Sequence, residues 1–202
     1  MPNLQSQTQV FARPTTDEMT SVQTMQLGAR ARDQNGNEYV YCSFSTGTVI
    51  GTGSWVTIGG GGSGAQAQAF RATGLTAASH GPVGIVVRQG DLGNGVAGVV
   101  SDMFGWVQVY GYYNDALLVS DAASAGTSSA QFTVPTTIST PVGGVQIVSD
   151  PSTNLNRILN AFALAAVATD VTANSSHTGL DIAVWLNYPF CVGNTDIGFS
   201  SI

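Results

Sequence analysis

The sequence predicts an all-β protein, mainly an antiparallel sandwich or barrel, with an extended N-terminal arm and at most one short helix. Three observations carry that expectation. Short runs of alternating apolar and polar residues recur along the chain, the signature of half-buried strands. Turn formers punctuate them at intervals of about 8–12 residues, as in sandwiches and barrels; examples are Asn114-Asp115, Ala125-Gly126, Pro141 with Gly143-Gly144, and Asp150-Pro151. The 202 residues include 25 Gly, 19 Ser and 21 Thr, and only 9% are charged. Hydroxyls, amides and backbone must therefore cover a surface that ions usually cover.

The same composition excludes several function classes. Apolar residues make up 43% and the net charge is only −6, which argues against charge-driven disorder. Six basic residues, all Arg, face twelve acids, so there is no basic footprint for nucleic acid. Two cysteines do not make a disulfide scaffold. No apolar run is long enough for a membrane-spanning helix. The opening MPNLQSQTQVFARP has neither the basic nor the apolar region of a secretory signal. Synthesis in a reducing cytoplasm, with Cys42 and Cys191 as thiols, is the expectation.

Residues 1–24 hold no period of 2 or 3.6 and carry Pro2 and Pro14, and are read as an extended arm. Leu4 and Phe11 would be wasted in a solvated tail, so the arm is expected to order on a partner. The β-rich domain spans 25–202 and is divisible into two lobes near 120–150. In LGARARDQNGNEYVYCSF, alternation on both sides of Asn35-Gly36 predicts a hairpin with a type I′ turn. Its Asp33–Glu38 stretch lacks the spacing and the final bidentate acid of a calcium loop. The glycine-broken segment from Thr46 to Gly64 reads as a connector or surface loop. It cannot be a phosphate loop, which needs a Lys.

Further strands are expected at Gly84–Arg88, Val96–Val100, Gly105–Gly111, 116–121, 131–135 and 144–150. In Gly105–Gly111, Trp106 and Tyr110 fall on one face and Val107 and Val109 on the other. Leu155, Ile158, Leu159 and Phe162 follow helical spacing, with Ser152 or Thr153 as a cap. The ALAAVATDV segment after it could join that helix or form a strand. Ile182, Val184 and Leu186 alternate with Ala183, Trp185 and Asn187 in a last strand that Pro189 is expected to stop.

No catalytic constellation emerges. His80 and His177 each follow a Ser, but sequence neighbours rarely make a nucleophile–base pair, and no G-x-S-x-G elbow exists. Two His and two Cys dispersed along the chain do not give zinc spacing. The aspartates are single and mostly abut turns. The chain is therefore read as no enzyme, with neither cofactor nor metal. What remains is a surface poor in ions and supplied with aromatics, which is the composition of an interface core. The residues expected to touch a partner are Phe11, Arg13, Arg30, Arg32, Tyr39, Tyr41, Arg88, Trp106 and Tyr110.

Three segments also carry a family likeness. Leu27-Gly28 precedes a D-x-x-G-x-E-Y-x-Y hairpin, here Asp33, Gly36, Glu38, Tyr39 and Tyr41. A central G-W-V-Q-x-x-G strand follows, here Gly105, Trp106, Val107, Gln108 and Gly111, and IAVWLNYPF closes the pattern. In order and texture the chain resembles the capsid cement, or head decoration, proteins of tailed bacteriophages over roughly 26–120 and 163–190. The glycine run 59–64 and the candidate helix near 155–162 depart from that pattern. The resemblance implies a β-rich homotrimer on the outer capsid surface of the virion, made in the host cytoplasm. It would bridge neighbouring major capsid protein subunits, without nucleic-acid or membrane partners. A glycan- or receptor-binding head-fibre or tail component is the alternative.

Overall fold

The computed structural model describes residues 20–44, 52–59, 70–75, 80–87, 103–119, 131–133, 145–148, 157–164 and 179–192. Among these the protein is all-β, with ten strands and no helix. They are β1 (Arg30–Arg32), β2 (Glu38–Phe44), β3 (Trp55–Ile58), β4 (Arg71–Gly74), β5 (Gly81–Val86), β6 (Met103–Val119), β7 (Gln131–Thr133), β8 (Gln146–Val148), β9 (Arg157–Ala163) and β10 (Gly179–Val192). All ladders between these strands are antiparallel except β2–β4.

Five strands close on themselves. β2 pairs with β4, β4 with β3, β3 with β5, β5 with β6, and β6 with β2. The inward positions alternate along each strand, as a small barrel requires. Val40, Cys42 and Phe44 come from β2, Val56 and Ile58 from β3, Ala72 from β4, Val86 from β5, and Met103, Val107 and Val109 from β6. Gly84 lets β5 and β6 approach, since a Cβ there would strike Val107 and the Gln108 carbonyl. Burial pushes the Cys42 thiol up to about 12, so it sits as a neutral apolar side chain in the barrel.

A second sheet grows from the same β6. Its first half, to Tyr110, pairs with β2, and from Tyr110 onward it pairs with β10. The change of partner falls at Gly111, which has φ 98°. Asn37 from the β1–β2 turn occupies the space where a side chain would stand, and its Oδ1 accepts a hydrogen bond from the Tyr112 N–H at 3.0 Å. Buried Gln108 donates from Nε2 to the carbonyls of Tyr110 (3.2 Å) and Tyr112 (2.9 Å), which holds the bend. β10 then carries β9, β7 and β8 in turn. This sheet lays Phe132, Ile158, Ile182, Val184, Leu186 and Cys191 against Trp55, Val83 and Ile85 of the barrel. Trp55 and Phe132 meet with centroids 5.3 Å apart. A third cluster, Ala31, Tyr39, Tyr41 and Trp106, lies under β1 and the segment before it. There Thr20 bridges to Phe104 and Tyr41 Oη contacts Thr24 Oγ1 at 3.0 Å.

Several expectations are corrected. Trp55–Ile58 is not part of a loop; it is a fully buried barrel strand. Asn114-Asp115 is not a turn. Ala116 faces Ile182 while Tyr113 faces Val184, so the two residues form a bulge opposite Ala183 and β6 continues. Pro189 does not stop the last strand; β10 shifts register between Leu186 and Phe190 and resumes pairing. The turn after β1 is not type I′: Gly36 alone has positive φ (86°), and the Gly36 N–H bonds the Asp33 carbonyl. The candidate helix is strand β9 from Arg157 onward, because its backbone groups pair with β10 and β7. Ile158 then turns inward while Leu159 and Phe162 turn out, which separates residues that a helix would have aligned. The arm to residue 19, the glycine run 60–64, strand Val96–Val100, the three turns beyond residue 120, and ALAAVATDV after Leu164 lie outside the described residues.

A candidate interaction face and the mouth of the barrel

The outer face of the second sheet is aromatic. Register places Trp185 of β10 between Tyr112 of β6 and Phe162 of β9. All three point outward, 40%, 48% and 55% exposed respectively. Cross-strand partners of this kind have Cβ atoms about 4.5–5.5 Å apart, so the rings form one row. Tyr110 joins it edge-on to Trp185 at 5.9 Å and lies 5.2 Å from the Tyr188 ring. Phe190 and Leu159, paired across β10 and β9, extend the row and are also exposed. Asn187 and Asn160 stand among the rings, and the Glu38 carboxylate meets the row only at the Tyr188 hydroxyl. The sheet needs its inner aliphatics to dock on the barrel; nothing in that docking needs rings on the outside.

At the end of the row the barrel opens. A cavity of about 440 Å³ enters there. Buried Val40, Ile58 and Val109, with Val83 and Pro189, form its floor and wall, and exposed Arg30, Phe70, Pro82, Tyr188 and Phe190 its rim. Tyr188 holds a positive φ of 51° at the β10 register shift, and its hydroxyl donates to Glu38 Oε2 at 2.7 Å. That hydrogen bond, with burial and the Glu38 charge adding to it, raises the Tyr188 phenol above its ordinary value. Phe70 lies on Gly28, where φ is 83° and any Cβ would meet the ring.

The residues expected to touch a partner scatter over these surroundings. Arg30 and Arg32 are exposed on β1, and Tyr110 is half-buried within the aromatic row. Tyr39, Tyr41 and Trp106 are buried in the cluster under β1, where Tyr41 packs edge-on against Trp106 at 5.2 Å. Their rings are spent on the interior and not on a surface. Phe11, Arg13 and Arg88 lie outside the described residues. Sequence reasoning missed Tyr112, Phe162, Tyr188 and Phe190. A usable signal existed for Trp185, which alternates against Ile182, Val184 and Leu186. His80 is exposed and His177 lies outside the described residues. No group of three or more His, Cys, Asp or Glu able to hold a metal occurs among the described residues.

Barrel, docked sheet, aromatic face and open mouth define an all-β protein with a row of exposed rings on one sheet. Comparison of the chain with protein-family models, curated proteins and solved structures returns no match.

Proposed function

We propose that this chain is a structural virion protein of a tailed phage that attaches to the outside of the capsid and bridges neighbouring major capsid protein subunits. The observation that carries the reading is the outward row Tyr112–Trp185–Phe162 with Tyr110 and Tyr188 beside it. Contiguous exposed aromatics on a water-soluble sheet mark interaction sites, and Trp and Tyr dominate interface energetics. Few ions surround them, so adhesion there would change little with salt. The likeness of the Asp33–Tyr41 and Gly105–Gly111 motifs to head decoration proteins supplies the class of partner. A homotrimer would multiply each modest patch through effective concentration.

The test adds purified protein to undecorated heads of the phage that encodes it. Wild type is expected to bind in regular array and raise the heat resistance of the heads. The double variant Trp185→Ser, Phe162→Ser is expected to keep its circular dichroism and lose about tenfold or more in attachment, since aromatic hot spots contribute about 2 kcal/mol or more each. Absence of wild-type binding, or equal binding by the double variant, would refute the proposal. The row of rings on a sheet also favours a second reading, a glycan- or receptor-binding head-fibre or tail component, because sugars stack on such platforms. Sugar binding on a glycan array that depends on Trp185, without attachment to heads, would decide for it.

A further inference from the structure

The cavity at the barrel mouth shares Tyr188 and Phe190 with the aromatic row, but Arg30 and the buried Val40, Ile58 and Val109 take no part in the attachment proposed above. Its volume of about 440 Å³ falls in the range of small-molecule sites, about 300–1,000 Å³, and barrel mouths are a common place for them. The floor of Val40, Ile58 and Val109 offers no polar group, so it suits an apolar body. Among the described residues that line it, the one charged side chain is Arg30, whose guanidinium makes no ion pair or hydrogen bond with another described residue. The nearby carboxylate of Glu38 does not line the cavity, and its Oε2 is engaged by the Tyr188 hydroxyl at 2.7 Å. The rim is built from uncommon backbone. Tyr188 is a non-glycine residue at φ 51°, and the ring of Phe70 rests where Gly28 has no side chain. Strained residues and bulges of this kind cluster where side chains are aimed at ligands.

We propose that the barrel mouth binds a small amphiphile with an apolar ring or chain and a single carboxylate, the apolar part on Val40, Ile58 and Val109 and the carboxylate on Arg30. An ammonium ligand would meet the guanidinium with like charge. A neutral one would leave it unpaired, forgoing the charge-assisted, bidentate contact that Arg makes with a carboxylate.

The probe is 4-phenylbutyrate, titrated calorimetrically into the full-length protein, with 4-phenylbutanamide and 4-phenylbutylamine as comparators. The expected result is saturable one-site binding of the carboxylate, with the amide about tenfold weaker and the amine weaker still. Arg30→Gln, at an exposed position of β1, is expected to lower carboxylate affinity about tenfold and leave amide binding unchanged. Val109→Phe, which fills the floor, is expected to weaken both; if it fails to fold, Arg30→Gln alone decides. Absence of saturable binding, equal affinity for carboxylate and amide, or wild-type affinity in Arg30→Gln would each overturn the proposal. Head attachment is measured separately on the aromatic row, so either idea can fail without the other.

Discussion

At Asp33 one carboxylate organises a whole turn. It accepts hydrogen bonds from the N–H groups of Asn35 and Asn37, from Asn37 Nδ2 and from the Tyr39 hydroxyl, each at 2.9 Å. Partial burial works to raise this carboxyl, and the four hydrogen bonds outweigh it, so the group titrates below its ordinary value. Its folded pKa therefore lies below its unfolded one. The stabilisation is complete above the unfolded value, ~pH 4, and is lost as pH falls through the folded value. Urea midpoints of wild type should hold steady above ~pH 5 and decline below ~pH 4, and Asp33→Asn should flatten that decline. Parallel pH profiles for the two proteins would contradict the role given to Asp33. The effect reaches further than the turn, because the Asn37 held by Asp33 also supports the bend of β6 at Gly111.

Among the elements, β9 shows most plainly how context sets conformation. Its apolar residues keep helical spacing, yet Asn160 has φ 61° and is exposed, a conformation that a helix cannot contain. Asn tolerates the left-handed region through its short polar side chain, and a β-branched residue does not. Asn160→Gly should leave stability within about 0.5 kcal/mol, whereas Asn160→Val should cost about 1–2 kcal/mol in chemical denaturation. Equal stability of the two variants would mean that β9 does not need this kink. Pro189 teaches the same lesson. A proline usually ends a strand, but here it lies at a register shift, where no ladder bond is lost.

For the molecule as a whole, the joint between barrel and sheet decides stability. Trp55 belongs to a barrel strand, but its ring is wholly buried against Phe132 of the second sheet. Trp55→Ala should cost about 3–5 kcal/mol, a large part of the 5–15 kcal/mol that typical domains possess. Trp55 Nε1 is also a buried donor that finds no partner among the described residues. Trp55→Phe keeps most of the ring contact and removes that orphan, so it should cost clearly less than Trp55→Ala in urea unfolding. A loss below about 1 kcal/mol for Trp55→Ala would show that the sheet does not depend on this docking.

The residues alone determined much of this. Alternation on both sides of Asn35-Gly36, in Trp106–Val109 and in Ile182–Asn187 marked those stretches as strands, because period 2 suits only a pleated chain with two unlike faces. The all-β class followed from such stretches and the turns between them. Tertiary structure decided which face met which. Tyr39, Tyr41 and Trp106 are covered by β1 and the segment before it, while Tyr112, Phe162 and Trp185 are left in the open. Local pattern cannot separate these sets, because both are rings on one side of a strand. Only the neighbours brought by β6, which bends at Gly111 to serve two sheets, determine which side is buried. The barrel mouth has the same origin: β1, β2, β3, β5, β6 and β10 supply it, distant in sequence and brought together by closure of the barrel and by the pairing of β10 with β5 and β6.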